Sequence, residues 1–430
     1  MGSINTIPSK RVGEHMYFPS CRFCGSKRCE TVIDLGIMPL AGGFIKPDSI
    51  PQAFEREKNY PLTIAFCEDC YLLQCNTAVS PETLFKDYFY FSSSIGTLLE
   101  HFDKTVSEIA TFIPEIKGKM IMEIGCNDGG FLQSLKKHGY KALGIDPATN
   151  VVTPMIKKGL PIINDFFTEK LAKKIVKEYG KADAIYSFHS MAHIEDMHDV
   201  IRGVKTVLQD DGYLAFEVHY LGSLLKELQY DMMYHEHEYY YSLHSLTNFF
   251  AQHDMEIFHV NLVPVRGGSI QYFVQKKLPG SRKVKTSVTN LYKKEKEQGL
   301  HKKATYKKFG KKIAKTKKDL LILLNTLKKG NKTIVGYGAS GRGTVVMNYC
   351  GLTSDYLSYV VDDAKAKHGS YTPGTHLEIK PSGILMSDPY PDYAVVFAWP
   401  FMEEVKKRNP EFLARGGKFI TPLPEVKIIL

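Results

Sequence analysis

The sequence predicts an α/β protein in three parts: a small cysteine-bound N-terminal module followed by two doubly wound α/β units. Three observations lead there. Two Cys-x-x-Cys knuckles stand near the N-terminus, a strand–glycine loop–helix crossover surrounds Gly125, and a second one surrounds Gly338. The length agrees, since 430 residues suggest about three domains at ~150 residues each. With 43% hydrophobic and 24% charged residues, wholesale disorder and fibrous repeats are excluded. No apolar run approaches the ~18 residues of a membrane span. The first twenty residues have no apolar core of a secretory signal, so a cytoplasmic protein without a membrane partner is expected.

Six of the eight cysteines fall in the first 75 residues. Cys21-x-x-Cys24 and Cys67-x-x-Cys70 each place two thiolates on one side of a tight turn, and four thiolates close a tetrahedral zinc site. Cys29 and Cys75 follow their knuckles at equal intervals, which leaves open which four bind. A disulfide set is the competing reading, disfavoured in a reducing compartment. Structural zinc also accounts for how so short a segment folds, and a site closed by four thiolates leaves no place for a reacting water.

In the middle, an apolar strand ends at Glu123, a loop carries Gly125, Gly129 and Gly130, and a helix starts near Phe131. The next strand ends in Asp146, placed to reach the two hydroxyls of a ribose. A third ends near Asp165, where a carboxylate can accept from an adenine amino group, and a fourth ends at the segment Phe188 to His193. A dinucleotide fingerprint needs Gly-x-Gly-x-x-Gly, but its middle glycine is replaced by Asn127, which weakens close approach of a pyrophosphate. The Glu-x-Gly-x-x-x-Gly form instead resembles the first motif of class I methyltransferases that bind S-adenosylmethionine. That makes Glu123, Gly125, Asn127, Gly129, Asp146, Asp165 and His189 the expected cofactor residues.

After a fifth strand, Gly212 to Val218, comes Tyr234-His235-Glu236-His237-Glu238-Tyr239-Tyr240. Two imidazoles and two acids this close suit a metal site or acid–base chemistry. His235 and His237 would share a face on a strand; the metalloprotease spacing, four apart, is absent.

The C-terminal third holds Gly336-Tyr-Gly338-Ala-Ser340-Gly341-Arg342-Gly343, after a strand and before Asp362 and Asp363. Taken alone it matches a dinucleotide loop, although a glycine-lined helix start can hold any phosphate or none. Net charge is +10, concentrated in residues 276–332, where 20 Lys/Arg face 3 Asp/Glu, so the rest of the chain carries −7. Tyr306, Phe309, Ile313, Leu320, Leu324 and Leu327 recur there at helical steps. This reads as an amphipathic helix with a wet lysine face rather than a nucleic-acid surface.

Taken in order, the zinc knuckles, methyl-donor loop, Tyr234-His235-Glu236-His237 cluster and Gly336-Tyr337-Gly338-Ala339 loop with Asn348-Tyr349-Cys350-Gly351 carry a wider resemblance. The chain resembles the nucleotide-sugar C-methyltransferase family of deoxysugar biosynthesis, to which the 3-C-methyltransferase of the tetronitrose pathway belongs. Pro373-Gly374-Thr375-His376 also looks like that family. The resemblance implies a zinc-binding module (1–85), a class I S-adenosylmethionine-dependent Rossmann-like domain (86–280), a lysine-rich helical linker (281–330) and a C-terminal Rossmann-like substrate domain (331–430). It implies a nucleotide-linked 4-keto-6-deoxyhexose as substrate, methylated at the carbon beside the ketone. His237 would be the base, with Tyr234 and Glu236 around the keto oxygen and His193 on the sugar. Tyr90, or its neighbour Tyr88, would supply a tyrosine to the site, and Gly338, Ser340 and Arg342 would hold substrate.

The chain departs from the pattern at two places. Arg266-Gly267-Gly268-Ser269 stands where relatives often carry His-Gly-Gly-Ser, and Ser340-Gly341-Arg342 replaces a small residue and lysine. An added guanidinium at either place binds diphosphate or meets a carboxylate. Competing readings are an O- or N-methyltransferase of the same architecture, an NAD-dependent oxidoreductase using the C-terminal loop, and a nucleic-acid-binding protein. The sequence leaves the oligomeric state open.

Overall fold

A computed structural model describes residues 9–85, 91–94, 96–114 and 118–429. Tyr88 and Tyr90 lie outside the described residues.

In the N-terminal module, β1 (Cys29–Pro39), β2 (Asn59–Cys67) and β3 (Leu73–Cys75) form an antiparallel sheet. On β2 the period-two alternation of strands buries Leu62, Ile64 and Phe66. The fourth strand of this sheet comes from far downstream: Tyr239–Tyr240 pairs with β3. The polar cluster around His237 therefore runs directly into the zinc module's sheet.

The middle unit contains β4 (Met120–Ile124), β5 (Lys141–Ile145), β6 (Ile162–Ile163), β7 (Ala182–Phe188), β8 (Leu208–His219), β9 (Met255–Val263) and β10 (Ser269–Lys276). They lie in the order β6-β5-β4-β7-β8-β10-β9. The first five are parallel, and β10 runs antiparallel between β8 and β9. This is the class I methyltransferase arrangement expected from the methyl-donor loop. Helix α1 (Gly96–Ile109) packs on α2 (Gly130–Lys137), which follows the β4 loop. Order reverses between β4 and β7, the switch point at which open α/β sheets bind ligands beyond their strand ends.

Helix α3 (Leu243–Ala251) is capped by Glu295 from α4 (Thr286–Gln298): its buried carboxylate accepts from Leu243 N at 2.9 Å and His244 Nδ1 at 2.9 Å. The lysine-rich α5 (Lys303–Lys329) buries Tyr306, Phe309, Ile313, Leu320 and Leu324 and leaves Lys308, Lys311 and Lys315 exposed. It lies along β1, where a Cβ on Gly310 would stand 3.0 Å from the Val32 carbonyl.

The C-terminal sheet is built from β11 (Ile334–Tyr337), β12 (Val360–Asp362), β13 (Ile379–Pro381), β14 (Tyr393–Val396), β15 (Lys418–Thr421) and β16 (Lys427–Ile429), ordered β13-β12-β11-β14-β15-β16. All but β16 are parallel, a Rossmann-like order. Helix α6 (Gly341–Cys350) follows its glycine loop.

Two cores join the parts. One packs Cys21, Phe23, Cys67 and Cys70 into the middle unit; the other packs Ile33, Leu62 and Ile64 with α5 and the C-terminal sheet. Among the described residues, no helix is long and apolar enough to cross a membrane.

Candidate active site

A cavity of about 800 Å³ opens where the ends of β4, β5, β7 and β8 meet the C-terminal unit. Its wall includes Glu123, Gly125, Asn127, Asp146, Asp165 and His189. It also carries His193, Tyr234, His237, Arg266 and Arg342.

The glycine loop is shaped by close packing. Gly125 has φ of 77°, and a Cβ there would lie 2.0 Å from Ser190 Oγ, so only glycine passes. Gly129, at φ 74°, precedes α2 against Leu160 and does not line the cavity. Asn127 N donates to Asp146 Oδ2 at 2.8 Å, and Ala148 N to Asp146 Oδ1 at 2.8 Å. Each carboxylate oxygen keeps a second lone pair for a ligand hydroxyl. Asn127 Oδ1 accepts from Ser92 N at 2.9 Å, and Asp128 accepts from the Ser92 hydroxyl at 2.6 Å. These bonds fasten the start of α1 over the loop. Asp165 is exposed and accepts from Phe166 N. Glu123 is 2% exposed, and its Oε2 has no protein partner. Burial, with Asp146 and Asp128 nearby, holds this carboxyl well above the ordinary range.

The wall also carries a run of imidazoles. His237 N donates to Tyr234 O at 2.8 Å, closing a turn that brings the two rings to 4.0 Å. His237 lies 5.0 Å from the ring of His193 and 5.5 Å from that of His219, and His219 lies 4.7 Å from His189. Carbonyls set the tautomers. His237 Nδ1 donates to Met232 O at 2.6 Å and His193 Nδ1 to Glu236 O at 2.5 Å, so each neutral ring keeps its lone pair on Nε2. Burial lowers His237 well below the usual imidazole value and pushes His193 and His189 down to about 4. His189 Nε2 contacts Glu217 Oε1 at 3.1 Å, and His101 Nε2 contacts Glu217 Oε2 at 2.6 Å.

The rest of the Tyr-rich cluster faces elsewhere. His235 Nε2 turns to the carbonyls of Tyr60 and Pro61, both at 3.3 Å, so His235 and His237 do not share a metal. Glu238 forms a buried ion pair with Arg22 at 2.5 Å, tying the zinc module to the site. Glu236 is partly buried, does not line the cavity, and sets Oε1 3.4 Å from where a Cβ on Gly42 would be. Burial pushes its carboxyl up to about 7. His219, Glu217, His101 and Asp231 were not singled out from sequence. A strand-end signal exists only for His219, the last residue of β8.

The thiolates of Cys21, Cys24, Cys67 and Cys70 lie within 4.8 Å of one another, with Cys21–Cys70 at 3.3 Å and Cys24–Cys67 at 3.6 Å. Sulfur atoms on a tetrahedron of ~2.3 Å Zn–S bonds stand at about this separation, far beyond a ~2 Å disulfide. Cys29 and Cys75 stay outside the cluster; the Cys75 thiol donates to Thr77 O. None of the four ligands lines the cavity.

Comparison with known proteins agrees with this architecture. Family models match along the chain: a zinc binding domain over 21–85, a methyltransferase domain over 98–260, and a C-methyltransferase C-terminal domain over 264–424. C-methyltransferase NovU of Streptomyces niveus is 31% identical over 95% of this chain and 96% of its own. The chain belongs to the C-methyltransferase family. An uncharacterized methyltransferase of Alkaliphilus oremlandii is 24% identical over 36% of this chain and 75% of its own. A solved magnesium protoporphyrin IX methyltransferase of Synechocystis with bound S-adenosylmethionine shares 15% identity, covering 44% of this chain and 86% of that one, with a TM-score of 0.31.

Membership of this family implies S-adenosylmethionine as the methyl donor, and the matched zinc binding domain with its four-thiolate cluster implies a structural zinc. The residues fit both. The four thiolates are a closed set, and the orphaned Glu123 oxygen beside the half-satisfied Asp146 forms a polar cradle at the end of β4 and β5. The C-terminal glycine loop is committed to internal bonds. Gly338, at φ 96°, packs on Ala398, and Ser340 Oγ caps α6 by accepting from Gly343 N at 3.2 Å. Asp362 accepts from Ala339 N and Ala364 N, each at 2.8 Å, while Asp363 meets Tyr337 and Arg408. Of the three C-terminal residues expected to hold substrate, only Arg342 lines the cavity.

Proposed function

We propose that the enzyme methylates the carbon beside the 4-keto group of a nucleotide-linked 6-deoxyhexose, with His237 as the base. The observation that carries this is the open Nε2 of His237, in a cavity shared with the methyl-donor loop. A carbon beside a ketone is not nucleophilic until it loses a proton, so a C-methyltransferase of this kind needs a base aimed at that carbon. Bound S-adenosylmethionine supplies an electrophilic methyl group.

The chain's residues do the rest. His237 Nε2 takes the α proton; its Nδ1–H, held by Met232 O, keeps the ring oriented. Tyr234, its ring tilted against that of His237, offers a phenol toward the oxygen on which enolate charge collects. Glu236 acts through its carbonyl, which holds His193 Nε2 toward the same space. Burial keeps both imidazoles neutral and ready to accept at physiological pH. Holding the nucleophilic carbon in line for transfer supplies a further large part of the rate.

The test is incubation with S-adenosylmethionine and a panel of nucleotide-linked 4-keto-6-deoxyhexoses, with the product read by carbon NMR. A new methyl on carbon supports the reading. A methyl on oxygen or nitrogen, or turnover of sugars lacking the ketone, refutes it.

A further inference from the structure

Four imidazoles line the cavity: His189, His193, His219 and His237. Three of them spend a ring nitrogen on the protein, His189 on Glu217, His193 on Glu236 O and His237 on Met232 O. His219 is the exception. Among the described residues, neither of its ring nitrogens has a hydrogen-bond partner, and the ring stands 4.7 Å from that of His189 and 5.5 Å from that of His237. The strand pattern accounts for this. His219 and Glu217 share a face of β8, opposite Ser269 and Gln271 of β10. Gln271 donates to Glu217 at 3.0 Å, and Ser269 gives its hydroxyl to Val265 O at 2.9 Å. The polar groups of this face are thus satisfied without His219. Its backbone is fixed all the same, by the ladder to Ser269 and by Tyr220 N donating to Gly268 O at 3.1 Å.

We propose that His219 is a further catalytic residue, donating a ring N–H to the keto oxygen of the sugar while His237 takes the proton from the carbon beside it. This rests on the 4-keto reading above. The ring flanks the base, as Tyr234 does, and a carbonyl oxygen and the carbon beside the ketone are close enough for two neighbouring side chains to address together. Neutral imidazole carries one N–H and one lone pair. With no protein acceptor to set the tautomer, the ligand oxygen selects the nitrogen that holds the proton. Burial, with His189 and His237 beside it, keeps the ring well below the usual imidazole value, and a neutral imidazole is a competent donor to an enolate oxygen. The C–H bond breaks toward His237 Nε2, its electron pair enters the carbon–carbon bond, and the charge displaced onto oxygen is held by the His219 N–H, which stays on nitrogen. With the phenol of Tyr234 this makes two donors for one oxyanion.

Hydrogen exchange and methylation in three variants test this, with nucleotide-linked 4-keto-6-deoxyhexoses as substrates and the exchange read in heavy water on the S-adenosylhomocysteine-loaded enzyme. His219→Phe keeps a flat ring and removes the N–H. It should slow exchange and methylation by about a hundredfold, the scale of one lost oxyanion donor, with kcat and kcat/KM falling together. S-adenosylhomocysteine affinity should stay within about twofold of wild type. His219→Asn and His219→Gln set an amide N–H near the positions of Nδ1 and Nε2, and one of the two should recover about tenfold or more over the phenylalanine variant, a rescue that a mere packing role does not produce. Exchange by His219→Phe within about fivefold of wild type overturns the proposal, and so does failure of both amide variants to recover. Those results leave the substrate reading standing. A wild-type enzyme that neither exchanges nor methylates any such sugar overturns the 4-keto reading itself, and this role with it.

Discussion

The Nδ1–H of His237 is bound to the carbonyl of Met232 at 2.6 Å, and this contact decides which nitrogen of the ring faces the cavity. The turn that holds the ring closes on Tyr234 and continues into Tyr239–Tyr240, the last strand of the zinc module's sheet. His237 is thus positioned jointly by the methyltransferase unit and the zinc module's sheet.

Replacing the base should separate chemistry from binding. His237→Gln should lower kcat by about a thousandfold or more, within the range of general-base contributions. S-adenosylhomocysteine should bind as to wild type, because Glu123 and Asp146 lie at the ends of β4 and β5 and make no hydrogen bond to His237. Stopped methyl transfer with unchanged calorimetric binding is the expected pair of results; turnover within tenfold of wild type assigns the proton to another group.

The pH profile should be broad on the acid side. Burial lowers His237, so the neutral base persists below pH 6.5 and the acid limb of kcat/KM falls lower than for a solvated imidazole. The Glu236 carboxyl does not line the cavity, so Glu236→Gln should leave the acid limb in place. Profiles of both enzymes check this, and an acid limb that moves in the variant contradicts it.

Cofactor affinity should depend on Asp146. Asp146→Ala strips the Asn127 and Ala148 N–H groups of their acceptor, at about 1–3 kcal/mol for a buried unpaired group. The Kd for S-adenosylmethionine should rise by about ten- to a hundredfold, measured by equilibrium binding. An unchanged Kd removes Asp146 from the cofactor site.

Zinc removal should stop catalysis from a distance. Elemental analysis should find about one zinc per chain for the four thiolates. Stripping it with a chelator, or Cys67→Ser, should free Phe23 from its 3.9 Å stack on Phe249 and loosen the strand that follows His237. Activity should fall together with resistance to proteolysis near residues 21–75. Full activity in zinc-free protein contradicts this coupling.

Much of this was legible in the residues because the chemistry is local. Knuckle spacing brings Cys21 to Cys24 and Cys67 to Cys70, and the Glu123 to Gly129 loop sits between one strand and one helix, so short-range rules suffice. What escaped depends on long-range packing. Asp231 and Arg342 are 111 residues apart, and nothing near Asp231 announces a buried partner. Glu238 reads as a surface or catalytic acid until Arg22 is folded against it. His219 ends β8, and its strand-end position was the overlooked clue.

Central to the account is a base that generates a carbanion on bound sugar, and hydrogen exchange reads that step alone. The enzyme, loaded with S-adenosylhomocysteine and a nucleotide-linked 4-keto-6-deoxyhexose in heavy water, should place deuterium on the carbon beside the ketone, as followed by proton NMR. His237→Gln should abolish that signal. Undiminished exchange in the variant, or none in a wild-type enzyme that methylates the same sugar, would contradict the account.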